Sequence, residues 1–151
     1  MKKKLILLIL ISIFAKASTL KIDDKISSFS LPNQFDKIHT INGEISKIIV
    51  SFQRDDINLI NDFLSSKNSD FLDKNNTVFI DNISKVSSLI VKMFIIPKLR
   101  EYHYDILLIY NETSKKFLEQ ENKISVYLIE NGTVKDIKYI STKEELERVF
   151  K

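Results

Sequence analysis

Runs of apolar residues alternate with polar segments along the chain, and their periods predict the elements of an α/β fold. Two short runs, 26–31 and 37–41, flank a turn-rich segment and predict an amino-terminal β-hairpin. Residues 48–52 form an apolar run that only Ser51 interrupts, which is typical of a strand buried on both faces. Further strands are predicted at 77–81 and 104–110, and the strongly apolar run at 104–110 indicates a central place in the sheet.

Apolar residues at helical spacing predict two helices between these strands. The first begins near Asp55 or Asp56, either of which can cap it. Its buried stripe should consist of Ile57, Ile60, Phe63 and Leu64. The second helix begins at Ser84 and should end or kink at Pro97, because proline cannot donate a backbone hydrogen bond. We expect its buried stripe to consist of Val86, Leu89, Ile90, Met93 and Phe94.

The carboxyl-terminal part of the chain carries strong local signals. An Asn-Gly dipeptide at 131–132 separates the runs 124–129 and 134–140, and such a dipeptide between two strands is a strong sign of a β-hairpin. Thr142 and Glu145 form a capping box that opens a closing helix. The predicted order is a hairpin followed by β-α-β-α-β-β-β-α, so the fold class is α/β with a mixed sheet.

The amino end has the three parts of a secretory signal peptide. Lysines occupy positions 2–4, an apolar run of eleven residues that only Ser12 interrupts follows at 5–15, and a small-x-small cleavage site ends at Ala17. Such a run is shorter than the roughly 20 residues that a membrane-spanning helix needs. We therefore predict a cleaved signal at 1–17 and one exported domain at 18–151.

Removal of this signal changes the charge of the chain. The whole sequence has 23 basic and 20 acidic side chains and a formal net charge of +3. The signal holds four of the lysines and no acid, so the mature chain has 19 basic and 20 acidic side chains and a net charge of −1. No basic stripe that could neutralise phosphates remains. We predict no nucleic-acid partner, and contact with a membrane only through the signal before its cleavage.

The sequence contains no cysteine. A bacterial lipoprotein carries a cysteine at its cleavage site, so we predict a periplasmic protein without a lipid anchor. Disulfide bonds, thiol redox catalysis and Cys-ligated metal centres are excluded as well. Two glycines are too few for a G-x-G-x-x-G motif, and no P-loop is present, which excludes those cofactor sites. We expect no cofactor.

The order of elements and one sequence phrase resemble the thioredoxin-like fold of periplasmic TlpA-like and peroxiredoxin-like proteins. The phrase F-S-L-P-N-Q-F-D-K at 29–37 is similar to F-x-L-P-(N/D)-x-x-G-K in the opening hairpin of those proteins, with Asp36 in place of glycine. The resemblance covers nearly the whole mature chain. It implies a central mixed sheet with flanking helices and an extra amino-terminal hairpin.

Two departures from this family fall where its redox members have their active site. The resemblance implies a nucleophilic cysteine just after the first central strand, where this chain has Gln-Arg-Asp-Asp at 53–56. It also implies a proline just before the third strand, where this chain has Tyr-His-Tyr-Asp at 102–105. No side chain at 53–56 can replace a thiolate. We therefore expect a redox-inactive chain with no catalytic residue.

The leading interpretation is a protein-binding or accessory module with a partner protein in the bacterial envelope. Tyrosine is enriched at interfaces, and two tyrosines lie in the segment 102–105, where the resemblance implies the second part of the active site. The partner-binding candidates are Gln53, Arg54, Asp55, Tyr102 and Tyr104. An enzyme of unknown, thiol-independent chemistry is a third interpretation, for which the sequence offers no nucleophile.

The second interpretation is a carrier of a small ligand or metal in a groove near His103 and the 53–56 loop. The candidate metal ligands are His103, Asp105 and His39, since imidazole and carboxylate together can hold zinc or copper. No H-x-H, H-x-x-x-H or H-E-x-x-H spacing accompanies them, so two surface histidines are the alternative. Asn75 lies in D-K-N-N-T, which fits the longer acceptor pattern of bacterial N-glycosylation.

Overall fold

The computed structural model describes residues 19–110 and 113–151, and the predicted signal at 1–17 lies outside them. The strands are β1 (Phe29–Pro32), β2 (Ile38–Ile41), β3 (Lys47–Ser51), β4 (Thr77–Asn82), β5 (Leu107–Ile109), β6 (Ile124–Glu130) and β7 (Thr133–Ile140). The helices are α1 (Arg54–Leu64), α2 (Phe71–Lys74), α3 (Ser88–Ile90), α4 (Ile96–Leu99) and α5 (Lys143–Val149), with a π-helical turn at Val91–Ile95. No helix in these ranges is long and apolar enough to cross a bilayer.

The central sheet has five strands in the order β5-β4-β3-β6-β7, and β1 and β2 form a separate antiparallel hairpin. β3 runs parallel to β4 and antiparallel to β6, so the sheet is mixed, and the predicted order of elements is confirmed. The central place predicted for 104–110 is wrong, because only the short edge strand β5 forms there. The hairpin residue Asn33 forms an antiparallel bridge with Leu107 and so covers the outer edge of β5. Because this edge is covered, the strand can be apolar although it lies at the edge of the sheet.

Both faces of the sheet are buried, and this explains the continuous apolar run in β3. Ile49 belongs to the cluster formed with the helices α1, α2 and α5. Ile48 and Val50 belong to the opposite cluster, which contains the hairpin residues Leu31 and Ile41. Side chains alternate between the two faces of a strand, so a strand that is covered on both sides needs apolar residues at every position.

The local predictions at the carboxyl end are confirmed. Asn131 and Gly132 have φ values of 51° and 75°, the left-handed values that a two-residue turn between β6 and β7 requires. Thr142 Oγ1 accepts the Glu145 backbone N–H at 3.2 Å. The Glu145 carboxylate in turn accepts the backbone N–H groups of Ser141 and Thr142, which closes the capping box at the start of α5.

The first helix has its predicted stripe but a different cap. Gln53 is the N-cap of α1, and neither Asp55 nor Asp56 takes that place. Asp56 lies inside the first turn, where its Oδ2 accepts the backbone N–H of Phe52 at 2.9 Å and that of Gln53 at 3.3 Å. The buried stripe is confirmed and consists of Ile57, Ile60, Phe63 and Leu64.

The second helix differs more from its prediction. Residues 88–99 combine α3, the π turn and α4 and are called helix 88–99 below. Its N-cap is Ser87, whose hydroxyl accepts a backbone hydrogen bond, and not Ser84. The helix continues for two residues past Pro97, because the proline lies in the first turn of α4, where its missing N–H is not needed for an intrahelical hydrogen bond.

The stripe that was predicted to be buried in this helix faces outwards. Leu89, Met93 and Phe94 are 67, 57 and 66% exposed. The helix instead buries Val91 and Leu99 against the cluster that covers the helical face of the sheet. Both sets of side chains recur at helical spacing in an almost wholly apolar segment, so periodicity alone does not show which set meets the sheet.

Candidate functional site

A groove lies at the carboxyl ends of β3 and β4, between α1 and helix 88–99. Its volume is about 540 Å³, and open α/β sheets commonly bind ligands outside the carboxyl ends of their strands. We call it the junction groove. Its apolar wall includes Ile57, Ile83, Val86, Ile90, Phe94 and Ile95. Its polar side chains include Gln53, Arg54, Asn58, Asn82 and Lys98.

The junction groove brings together three of the five partner-binding candidates. Gln53, Arg54 and Tyr102 line it. Asp55 is exposed in the first turn of α1 and does not line the groove. Tyr104 is buried, and its hydroxyl donates to Asn61 Oδ1 at 2.7 Å, so it has no surface to offer a partner. Burial also raises the pKa of Tyr104.

Tyr102 owes its position to the tyrosine that follows it by two residues. The rings of Tyr102 and Tyr104 stack with their centroids 5.5 Å apart and their planes 12° apart. The buried ring thus supports the half-buried one, which forms part of the groove. The loop before β5 is further held by the buried Gln34 of the hairpin, whose Oε1 accepts the Ile106 N–H at 2.9 Å. The hairpin that carries the family resemblance therefore helps to fix this side of the groove.

Asp81 lines the junction groove and was not singled out from the sequence. It ends the register between the parallel strands β3 and β4, opposite Ser51, whose Oγ donates to Asp81 Oδ1 at 2.9 Å. Burial, with a smaller contribution from the Asp56 carboxylate, raises the pKa of Asp81 to about 7, although the hydrogen bond from Ser51 opposes the shift. The only feature of the sequence that marks Asp81 is an acid at the end of an apolar strand. Many strands end in this way, so this feature does not indicate a functional residue.

The chemistry available at this groove is limited. The chain has no thiol, and Ser51 is fully buried, so it cannot act as a nucleophile on a bound molecule in this conformation. Burial also raises the pKa of Asp56, although backbone N–H groups oppose the shift. The groove thus combines an apolar wall with one buried carboxyl group, that of Asp81, which suits recognition of a ligand.

A second groove of about 470 Å³ lies near the predicted metal ligands. His39, His103 and Asp105 all line it, together with Asp73 and Lys37, and we call it the polar groove. His39 Nε2 lies 3.5 Å from Asp105 Oδ2, whereas His103 Nε2 lies 3.0 Å from a backbone carbonyl oxygen. In the described part of the chain, no group of three or more His, Cys, Asp or Glu side chains is placed to hold a metal ion.

The predicted single groove that joins His103 to the 53–56 loop is wrong. Gln53 and Arg54 line the junction groove, and His103 lines the polar groove. The division runs between two neighbouring residues, because Tyr102 contributes to one groove and His103 to the other. Tyr102 and His103 are adjacent in sequence but line different grooves.

Asn75, the predicted glycosylation acceptor, ends α2. Its Nδ2 donates to the carbonyl oxygen of Phe71 at 2.8 Å, and its side chain is half-buried. A glycan is attached through this same nitrogen, so modification of the folded chain would disturb the bond. Glycosylation of Asn75 stays a prediction.

Solved structures of thioredoxin-like proteins are similar to this chain in fold. A peroxidoxin from Mycobacterium tuberculosis has a TM-score of 0.54 at 12% identity, over 85% of this chain and 93% of that one. The thioredoxin domain of a thiol-disulfide oxidoreductase from Bacteroides vulgatus has a TM-score of 0.54 at 12% identity, over 88 and 100%. A thioredoxin-like protein from Porphyromonas gingivalis has 0.53 at 16%, over 85 and 91%.

No family model and no curated protein matches the sequence. The structural likeness at such low identity shows the fold alone. The chain therefore has a thioredoxin-like fold, as the resemblance implied, and it lacks the cysteine that thiol chemistry requires.

Proposed function

We propose that this cysteine-less chain of thioredoxin-like fold is a binding module that holds an apolar segment of a partner protein in the junction groove. One observation carries the proposal: the apolar wall of the groove continues onto the outward face of helix 88–99. Phe94 belongs to both surfaces, while Leu89 and Met93 extend the apolar face beyond the groove. Exposed apolar surfaces of this kind mark interaction sites.

The extent of this surface favours a protein segment over a small ligand. A ligand enclosed in the groove would leave Leu89 and Met93 in water, because neither residue lines the groove. A helix or extended segment of a partner could fill the groove and cover both side chains at once. Helix-in-groove recognition places apolar anchors of the partner in such a way.

The shape of the surface favours a protein over a lipid bilayer. Helix 88–99 has exposed apolar side chains and two lysines, Lys92 and Lys98, which a membrane-surface helix also has. A bilayer would meet only the convex outer face of this helix. It would not enter a groove of about 540 Å³ that has a buried carboxyl group among its lining residues.

The setting that we propose for this function is the bacterial envelope. The sequence pattern at 1–17 supports export, and the absence of cysteine supports an accessory role without thiol redox chemistry. The binding partner would then be a periplasmic protein or the periplasmic part of a membrane protein. The chain would act by holding that partner and not by transforming it.

A photo-reactive amino acid placed at Met93 in cells tests the proposal. Ile38, an apolar side chain of similar exposure on the hairpin, is the matched control position. We expect one defined protein adduct from position 93 and none from position 38. A peptide with the crosslinked sequence should then bind the purified mature chain, and Phe94→Ser should weaken that binding at least about ten-fold, because an aromatic anchor is lost.

Several results would overturn the proposal. An adduct with twice the mass of the chain would assign the face to a second copy. Sedimentation with anionic vesicles in place of an adduct would assign it to a membrane. Identical adducts from both positions, or none from either, would show that helix 88–99 is not a specific docking surface.

The polar groove supports a second candidate function, a carrier of a small polar ligand. The observation that favours it is that both histidines of the chain and Asp105 line one groove. Native mass spectrometry of the protein isolated from its cell envelope would detect such a ligand as a small excess mass. Loss of this mass in His103→Ala would support the carrier, and an unchanged mass would exclude a role for His103.

A further inference from the structure

Asp81 gives the junction groove a property that apolar docking does not explain. We propose that the groove recognises a cationic group on an apolar stem, the side chain of a lysine or arginine in the docked segment, and that Asp81 Oδ2 receives the charge. This inference rests on the proposed function, because it names the anchor of the bound segment. It adds a specificity that the apolar wall alone cannot provide.

The geometry leaves one carboxylate oxygen of Asp81 free for a ligand. Asp81 is only 5% exposed, and its Oδ1 is occupied by the Ser51 hydroxyl. Among the described residues, no donor bonds Oδ2. Asp70 Oδ1 is the only described side-chain atom that is both fully enclosed and without a partner, so Oδ2 of Asp81 is not sealed in the core. Since Asp81 lines the groove, this oxygen is open to it.

In the described part of the chain, no basic side chain forms an ion pair with Asp81. The one charged group that shifts the pKa of Asp81 is the Asp56 carboxylate, and Arg54, a basic residue of the groove lining, forms no ion pair with Asp81 among the described residues. Lys98, at the rim of the groove, is already paired with Glu101 at 2.8 Å. A buried carboxylate without a cation costs free energy, and a bound cation removes that cost.

The groove offers a path for the stem of such a side chain. Ile57, Ile83 and Leu99 line it together with Asp81. Lysine and arginine bury their methylene groups along apolar surfaces while their charged ends meet polar partners. A shorter cation without a stem would gain less, because it would leave the apolar wall uncovered.

Three probes with six carbon atoms each, hexylammonium, hexanol and hexanoate, separate the effect of the charge from that of the apolar stem. We would titrate each into the mature chain at pH 8 and follow the methyl signals of Ile57 and Ile83 by NMR. Asp81→Asn is the matched variant, because its amide oxygen can still accept the Ser51 hydroxyl. We expect hexylammonium to bind at least about ten-fold more tightly than hexanol, a charge-assisted effect that Asp81→Asn should abolish.

The outcomes distinguish this inference from the proposed function. Equal affinities for hexylammonium and hexanol would overturn the cationic anchor and leave apolar docking intact. Tightest binding of hexanoate would also overturn it, because Arg54 and Lys98 would then decide the selectivity. Binding of none of the probes would contradict both proposals. The order of the three affinities on the unmodified chain decides the question even if Asp81→Asn does not fold.

Discussion

Helix α1 and helix 88–99 have similar apolar stripes, but the stripe of α1 is buried and that of helix 88–99 is exposed to solvent. The stripe of α1 lies in the core, with Ile60 and Phe63 almost fully buried. The equally regular stripe of helix 88–99 is exposed, and Phe94 is the clearest example. Water-exposed apolar surface does not stabilise a fold, so its presence on one helix and not on the other calls for a separate cause. The proposed binding partner would supply that cause.

The two helices differ in how much of their circumference is apolar. Helix α1 has polar residues such as Asp55, Asn58 and Asp62 on its outer side, so only one face can be buried. Helix 88–99 has two apolar stripes, and the sheet takes only the one that contains Val91 and Leu99. A helix that is apolar nearly all round requires contacts on more than one side. The second stripe is the one that we assign to the partner.

The largest expected effect tests the buried stripe of α1. Phe63→Ala should lower the free energy of unfolding by about 3–5 kcal/mol, because it removes a buried ring and leaves a cavity. The ring packs against Phe71 and Phe150, with centroids 5.7 and 5.3 Å away. Urea denaturation measures the loss. A loss below about 1 kcal/mol would show that α1 is not part of the core.

Leu99→Ala tests which stripe of helix 88–99 is structural. Leu99 is buried against the helical face of the sheet, so we expect a loss of about 2–5 kcal/mol in the same urea experiment. If Leu99→Ala were neutral and Leu89→Ala strongly destabilising, the assignment of the two stripes would be reversed.

Asp81→Asn tests the buried carboxyl group of the junction groove through pH. The folded chain raises the pKa of Asp81 from 3.8 to about 7, so folding favours its protonated form. The stability that this proton provides is present below about pH 4 and is lost as pH rises to 7. Asp81→Asn should therefore be more stable than the unmodified chain at pH 8, by up to about 4 kcal/mol, and should lose this advantage near pH 4.

The exposed Asp55 provides the control for this experiment. Asp55→Asn should change the free energy of unfolding by no more than about 0.5 kcal/mol at either pH. A constant difference between Asp81→Asn and the unmodified chain from pH 4 to 8 would contradict the buried, proton-binding carboxyl group.

The smallest expected effect on stability completes the comparison of the two helices. Phe94→Ala removes an aromatic ring as Phe63→Ala does, but from a position that is 66% exposed. We expect a change within about 0.5 kcal/mol in the free energy of unfolding. A loss comparable to that of Phe63→Ala would mean that the outward face already packs against the rest of the chain.

Structural features that depend on only a few neighbouring residues could be predicted from the sequence. The turn at 131–132 and the capping box of Thr142 and Glu145 each lie within a short segment, and the structure contains both. The edge position of β5 could not be predicted, because it depends on a contact with Asn33, which is distant in sequence. The Ser51–Asp81 pair likewise arises from the register of two parallel strands.

Which of the two apolar stripes of helix 88–99 is buried could not be predicted from the sequence, for a different reason. Both satisfy the same helical period, and the outcome depends on how the whole segment, with its π turn, meets the sheet. Of the partner-binding candidates, the sequence indicated Gln53, Arg54 and Tyr102 at the groove, because the fold places the end of β3 and the loop before β5 close together. It also included Tyr104, whose burial depends on Asn61 and the core.

Native mass spectrometry of the mature chain, isolated gently from its own cell envelope, tests the central claim most directly. The unmodified chain would be compared with Phe94→Ser and with Phe35→Ser, a change at an exposed aromatic residue of the hairpin. We predict an excess mass of a protein partner on the unmodified chain and on Phe35→Ser, and its loss from Phe94→Ser. The same mass for all three proteins would contradict a docking surface on helix 88–99.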